Sequence, residues 1–233
     1  MRRKGVKLAL AAAVAFFIGF ASTMRGQERF DLKVRNDFFA GFTGNSEALA
    51  RGMKACEEEL AKNPKNAEAL VWHGGGLLFQ SGAAFRSGDQ QKGMDLWSRA
   101  LKEMKTAVEL EPDNIGVRIP RGATLLTASR FAPPELGKPL IEDGVADYQH
   151  TYDLQKSYFQ TLGSHPRGEL LFGLAEGYSR LGDPSKAQKY FEQIRRDLPN
   201  TVYAKRADSW MQNKSLRADQ TGCVGCHTNS PAR

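Results

Sequence analysis

Apolar residues recur every three or four positions along most of this chain, and runs that alternate apolar with polar are missing. That period is the signature of helices with one buried stripe. The spacing predicts helices over residues 46–62, 67–81, 89–110, 114–130, 135–160, 168–181, 184–197 and 201–213, so the fold class is all-α. Short turns separate them: NPKN at 63–66, EPDN at 111–114, LGDPS at 181–185 and LPNT at 198–201. Each places Pro, Gly, Asn or Asp at a helix boundary. Ahead of them, VRNDFFAGFTGN carries Phe38, Phe39 and Phe42. We read it as a short helix covering the open end of a helical stack; the competing reading is an exposed docking patch.

The helices come in pairs. From Gly168 to Pro199, the residues Leu171, Leu174, Ala175, Tyr178, Gly182, Ala187, Phe191, Ile194 and Pro199 fall at a fixed pattern of spacings. This stretch closely resembles a tetratricopeptide repeat. The small Ala175 and Ala187 let paired helices approach, Tyr178 and Phe191 fill the space between them, and Pro199 ends the second helix. An earlier pair fits with about thirteen extra residues between its halves: Val71, Gly74, Gly75, Leu78 and Gly82, then Ala100, Met104, Ala107 and Pro112. Its second helix is expected to be long or preceded by a hook. EALARGMKACEEELAKNPKN resembles the second helix of a truncated pair. The pair over 114–160 is the most degenerate, with RFAPPELGKP as its loop. The resemblance spans residues 36–213 and implies a helical-repeat solenoid whose groove docks a protein partner.

The first residues change the expected location. MRRKGVKLALAAAVAFFIGFASTMRGQ has a basic start followed by an apolar run from Leu8 to Ala21, the layout of a secretory signal peptide with cleavage after Ala21. An uncleaved membrane anchor is the alternative, although the run is short for a span. No cysteine lies near it, which excludes a lipoprotein. The expected organisation is a signal peptide at 1–21, a cap segment at 22–43, helical repeats at 44–213 and a C-terminal tail at 214–233. The formal net charge is +7, of which Arg2, Arg3, Lys4 and Lys7 carry four. The rest of the excess sits in the last 35 residues, from Pro199 on, and residues 22–198 balance to zero. Nucleic-acid binding is therefore unsupported, while a mildly basic tail suits an acidic partner.

Most catalytic patterns are absent. HGGG at His73–Gly76 resembles an esterase oxyanion loop, but no G-x-S-x-G elbow accompanies it, and the glycines read as close helix contacts. There is no Walker loop or dinucleotide fingerprint. Glu57, Glu58 and Glu59 read as a solvated helix face, and Cys56 as a buried core thiol.

The exception is TGCVGCHTNS at 221–230. Two of the three cysteines and one of the four histidines of the chain stand together as Cys223-Val224-Gly225-Cys226-His227. C-x-x-C-H resembles the attachment motif of c-type cytochromes. That resemblance implies one covalent haem c. Two thiols add across the haem vinyl groups, and the adjacent His227 gives the iron its proximal nitrogen. A thiol–disulfide pair or a zinc site are the other uses of such a cluster. The first normally sits on a thioredoxin-like fold, and the second needs a fourth ligand. Unlike small monohaem cytochromes, this chain has only six residues after His227. The candidates for a distal ligand are Met211, His165, His150 and His73, or a residue of another chain. The expected function is that of an extracytoplasmic monohaem cytochrome on a repeat scaffold, transferring electrons and docking a partner. The alternatives are a non-redox interaction scaffold with structural haem, or a haem enzyme or sensor with an open iron.

Overall fold

The computed structural model describes residues 29–213. The leader at 1–21 and the tail at 214–233, with Cys223, Cys226 and His227, lie outside the described residues. Within them are nine α-helices: α1 (Phe30–Phe42), α2 (Ser46–Lys62), α3 (Ala67–Arg86), α4 (Gln90–Leu110), α5 (Ile115–Ala128), α6 (Pro134–Gln155), α7 (Ser164–Arg180), α8 (Pro184–Asp197) and α9 (Val202–Asn213). A short 3-10 turn, Phe159–Thr161, precedes α7.

The turn chemistry starts these helices as the sequence implies. Side chains of Asn45, Asn66, Asp89, Asn114 and Asp183 accept hydrogen bonds from the first-turn N–H groups of α2, α3, α4, α5 and α8. Each such cap is worth about 1 kcal/mol. Gly88 and Gly182, with φ of 86° and 78°, take the left-handed conformation that ends α3 and α7 and turns the chain into the next helix.

Consecutive helices pack as hairpins: α1 on α2, α3 on α4, α5 on α6 and α7 on α8. The odd-numbered helices also pack on one another, α1 on α3, α3 on α5, α5 on α7 and α7 on α9. Each even helix meets the odd helix that follows it. The result is a two-layered stack of hairpins of the tetratricopeptide-like kind, in which each unit touches only its neighbours. Signature positions sit where close packing needs them. Leu171, Leu174, Ala175, Ala187, Phe191 and Ile194 are fully buried, as are Ala100, Met104 and Ala107.

The core divides in two. One cluster runs from Phe30 and Phe38 through Trp72 and Met104 to Leu125 and Leu140. The other runs from Leu126, Ile141 and Tyr148 through Phe172 and Phe191 to Trp210. Neighbouring residues of α5 and of α6 therefore serve opposite cores: Leu125 and Leu140 one, Leu126 and Ile141 the other. The third hairpin is the seam, apolar on two faces.

Several boundaries differ from expectation. The thirteen extra residues of the second hairpin form no hook. They lengthen both helices, to 20 residues in α3 and 21 in α4. The expected loop RFAPPELGKP is mostly helix, because Pro134 stands in the first turn of α6, where a proline is tolerated. The span 135–160 is not one helix; α6 stops at Gln155. The pair expected to be truncated is complete, since α1 is its first helix. Phe38 is fully buried against Trp72, with ring centroids 5.3 Å apart, and Phe39 and Phe42 pack on the same core. These phenylalanines are core, not a docking patch.

Candidate functional site

The expected site residues Cys223, Cys226 and His227 are outside the described residues, so the site is built from what flanks them. The chain reaches the tail through α9. Tyr203, Arg206, Ala207 and Trp210 recur on one face of that helix and are buried. Trp210 stacks on Phe191 at 4.6 Å between centroids and donates from Nε1 to Ser179 Oγ at 3.1 Å. The Arg206 guanidinium lies 5.2 Å over the Phe172 ring, an arrangement that favours the cation. Tyr203 also meets Phe172, at 6.4 Å. Helix α9 thus covers the open end of the last hairpin. It runs in the same direction as α7: Tyr203 sits beside the start of α7 and Trp210 beside its end.

The four distal candidates fall in different places. His73, on α3, is 1% exposed; its Nδ1 is 2.6 Å from Glu103 Oε2 and its Nε2 3.7 Å from Glu57 Oε1. It is enclosed by α2, α3 and α4. His150, on α6, holds Asp113 through Nε2 at 2.7 Å. His165, at the start of α7, is 49% exposed, and its Nδ1 shares a hydrogen bond of 3.0 Å with Tyr203 Oη. Its Nε2 is 3.6 Å from Glu169 Oε2. Met211, near the end of α9, packs against the second core.

The sequence singled out other groups whose surroundings are now clear. The three glycines after His73 face three neighbours. A Cβ at Gly74 would come within 3.0 Å of the Ala100 carbonyl oxygen on α4, and one at Gly76 within 2.8 Å of the Phe38 ring on α1. At Gly75 the nearest atom, Thr124 Oγ1 on α5, would be 3.5 Å away. They are helix contacts, with no oxyanion loop. Cys56 is fully buried, and burial, with Glu103 and Glu57 nearby, pushes its thiol pKa far up, which leaves it inert. Glu57 and Glu58 are exposed.

A cluster that sequence reading missed lies in the seam hairpin. Asp147, fully buried on α6, accepts from Arg118 Nη1 at 2.8 Å and from Arg121 Nη1 at 2.9 Å, both on α5. Arg121 also holds Asp143 at 2.7 Å. Burial pushes the Asp147 pKa up to about 6 even though two guanidiniums oppose the shift. A second pair joins α7 to the turn after α5, Arg130 Nη2 to Glu176 Oε2 at 2.6 Å. The signal was present in the spacing. Arg118 and Arg121 stand three apart, and Asp143 and Asp147 four apart, on the two helices of one hairpin.

Among the described residues no group of three or more His, Cys, Asp or Glu side chains is placed to hold a metal ion. No described helix is long and apolar enough to cross a membrane. No family model matches the chain, and neither does any curated protein. A solved structure that aligns is a thermophilic TPR protein from Thermus thermophilus, 18% identical over 78% of this chain and 98% of that one, with a TM-score of 0.37. A likeness at that score carries no argument, and the repeat architecture rests on the hairpin packing itself.

Proposed function

We propose that the chain is an extracytoplasmic monohaem c-type cytochrome built on a helical-repeat scaffold, which carries electrons and docks a protein partner through the repeats. The observation that carries this reading is the sequence Cys223-Val224-Gly225-Cys226-His227 at the end of a chain that starts like a secreted one. The donor set fits the group: two thiols for the vinyl carbons and an adjacent imidazole for the iron. When bound, haem c would supply a one-electron couple.

The described residues supply the platform. Helix α9 fixes where the tail begins, through the Trp210–Phe191 stack and the Trp210–Ser179 hydrogen bond. From Asn213 to Cys223 an extended chain reaches about 35 Å, a span that excludes none of the four distal candidates. Asp147, Arg118 and Arg121 stiffen the scaffold away from it and take no part in the chemistry. An acidic redox partner suits the basic excess of Lys205, Lys214, Arg217 and Arg233 over Asp208 and Asp219; Arg206, which belongs to the same excess by sequence, is buried against Phe172 and does not face a partner.

The test is the mass of the mature protein produced with a haem-attachment system, together with its reduced and oxidised absorption spectra. One covalent haem is expected, lost in the double variant Cys223→Ser/Cys226→Ser. A mature mass equal to the bare polypeptide would overturn the reading.

A further inference from the structure

We propose that the turn between α5 and α6, together with the end of α7, is the surface on which the repeats dock a protein partner, and that it takes a segment in which an acidic side chain stands beside an apolar one. The proposal rests on the docking half of the reading above and not on the haem, because every residue in it belongs to the repeats.

The four hairpins turn at their tips in two ways. Three tips, at Gly44, Gly88 and Gly182, use a glycine at positive φ followed by an Asn or Asp that caps the next helix. The third tip is Ser129-Arg130-Phe131-Ala132-Pro133, and Pro133 makes no side-chain cap bond to α6. Apolar residues stand where the other tips carry their glycine and cap. Phe131 is 83% exposed, more than any other large apolar side chain among the described residues. Pro133 and Pro134 are exposed beside it, and Leu136 follows. An exposed apolar run of this kind marks a surface that meets another molecule. The exposure is not looseness. Phe131 N–H donates to the Ala128 carbonyl at 3.0 Å, the two prolines restrict the chain, and a Cβ at Gly137 would come within 3.0 Å of the Ser129 carbonyl oxygen. A ring on a backbone already fixed loses less freedom on binding, which suits it as an anchor.

Next to this ring stands a cluster with more positive than negative charge. Arg130 Nη2 donates to Glu176 Oε2 at 2.6 Å, and Arg180 Nη1 is 3.6 Å from Glu176 Oε1. Arg180 also reaches the end of α5, donating to the Leu126 carbonyl at 3.0 Å and to Ser129 Oγ at 2.7 Å. Among the described residues Glu176 is the only carboxylate paired with either arginine, so two largely buried guanidiniums share one counter-charge. Burial holds the Arg180 pKa below its usual value; Glu176 opposes that shift and Arg130 adds to it. The C-terminal end of α5 offsets part of the excess. Arg130 Nε, buried without an acceptor, shows that the pairing is incomplete. Glu135, the acid of the loop itself, stands in the first turn of α6, where the helix end offsets it. A carboxylate brought by a partner would complete the cluster, since a guanidinium matches it in shape as well as charge. A lipid surface fits less well. Arg130 and Arg180 are held inward by Glu176 and Ser129, whereas anionic membranes are recognised by several exposed basic side chains.

The test selects a random peptide library, displayed on phage, against the full chain and against its Cys223→Ser/Cys226→Ser variant, so that loss of haem and loss of docking are read apart. Enriched peptides should pair Asp or Glu with a neighbouring aliphatic or aromatic residue. Made as synthetic peptides with blocked ends, they should bind both forms equally and lose about tenfold or more in affinity in Phe131→Ser and in Arg130→Gln. Replacing the acid of the peptide by its amide should weaken binding to the wild type and change little in Arg130→Gln, since both changes remove one contact. Phe131→Ser alters only an exposed ring and should keep the fold. Circular dichroism checks both variants, and if Arg130→Gln does not fold, Phe131→Ser and the amide peptide decide. No enrichment, peptides that need the cysteines, or peptides that bind the folded variants as they bind the wild type overturn the proposal. So does binding to vesicles of phosphatidylcholine and phosphatidylglycerol that is lost in Phe131→Ser, which would make the surface a lipid contact. Peptide binding as expected in a mature protein without covalent haem would sink the cytochrome reading and leave this one standing.

Discussion

The second and third hairpins close in opposite ways. Helices α3 and α4 meet through small residues: Gly74 lies against the Ala100 carbonyl, with Met104 and Ala107 buried alongside. The contact is apolar, with the His73–Glu103 pair at its edge. Helices α5 and α6 meet through a buried carboxylate held by two arginines, and through Tyr148. That ring lies in a slot between Gly122 on α5 and Gly173 on α7, where a Cβ at either glycine would strike it. The comparison explains why one hairpin resembles the repeat pattern and the other does not. A hairpin with one apolar face can use the usual small-and-large alternation. The seam hairpin must serve two cores, as Leu125 and Leu126 do on adjacent positions, so its apolar residues fall on two faces and the single-stripe period blurs.

The largest effect expected from breaking this contrast is at Asp147. Asp147→Ala removes the acceptor of both guanidiniums, leaving Arg121 with Asp143 and Arg118 with the Pro112 carbonyl, at a cost of about 3–5 kcal/mol. A denaturant melt should show it, and a loss under about 1 kcal/mol would mean the cluster is more hydrated than its burial indicates.

The next effect sets glycine against glycine. Gly173→Ala drives a methyl into the Tyr148 ring and should cost about 1–3 kcal/mol. Gly75→Ala meets only ordinary contact with Thr124 and removes a helix-weakening residue, so it should be neutral or stabilising by up to about 1 kcal/mol. Equal effects from the two would remove the distinction between slot and open contact.

Acid titration separates the same two hairpins by sign. Burial disfavours the charge of Glu103, but the hydrogen bonds and charges of His73 and Arg99 outweigh it and lower its pKa. Its contribution is present above the ordinary glutamate value and lost as pH falls through the folded one. Asp147 is raised, so its contribution is present below the ordinary aspartate value, about 4, and lost as pH rises through about 6. Stability measured against pH should therefore lose part of its acid limb in Glu103→Gln. In Asp147→Asn the decline between about pH 4 and 6 should flatten.

The smallest effects are at the end of the stack. Tyr178, expected from the repeat pattern to fill a packed site, is only half-buried; it stacks on Tyr190 at 5.9 Å with Lys186 4.8 Å over its face. Tyr178→Ala should cost about 1 kcal/mol, well below the same change at the fully buried Phe191, which should cost about 3–5 kcal/mol. A chain ending at Asn213 should keep its helical circular dichroism and nearly its melting temperature while carrying no haem. A truncated chain that unfolds would make the tail part of the core.

Much of the fold was legible because helix caps and repeat spacing are local signals. Asn66, Asn114 and Asp183 mark their helices whatever packs above them. The seam was harder, since Pro120 and Pro139 stand inside α5 and α6 and suggest breaks. Each falls in the second turn, where a proline removes one helix hydrogen bond but the surrounding packing retains the helix. The C-x-x-C-H pattern was legible without any fold, because it sits in five consecutive residues. The pairing of His165 with Tyr203 was not, because it joins residues 38 positions apart through the parallel run of α7 and α9.

The Tyr148 slot also bears on how the molecule opens. A linear stack whose units touch only neighbours should fray from its ends, each hairpin exchanging its amide hydrogens on its own schedule. One ring caught between α5 and α7 prevents this in the middle, because neither helix can move away without vacating it. Hydrogen exchange should then find the third and fourth hairpins releasing their slowest amides together, as a single opening unit. The first hairpin, α1 and α2, should open by itself and sooner. A chain that looks modular by its repeats would thus open in blocks of unequal size, with residues 214–233 following the sturdiest one.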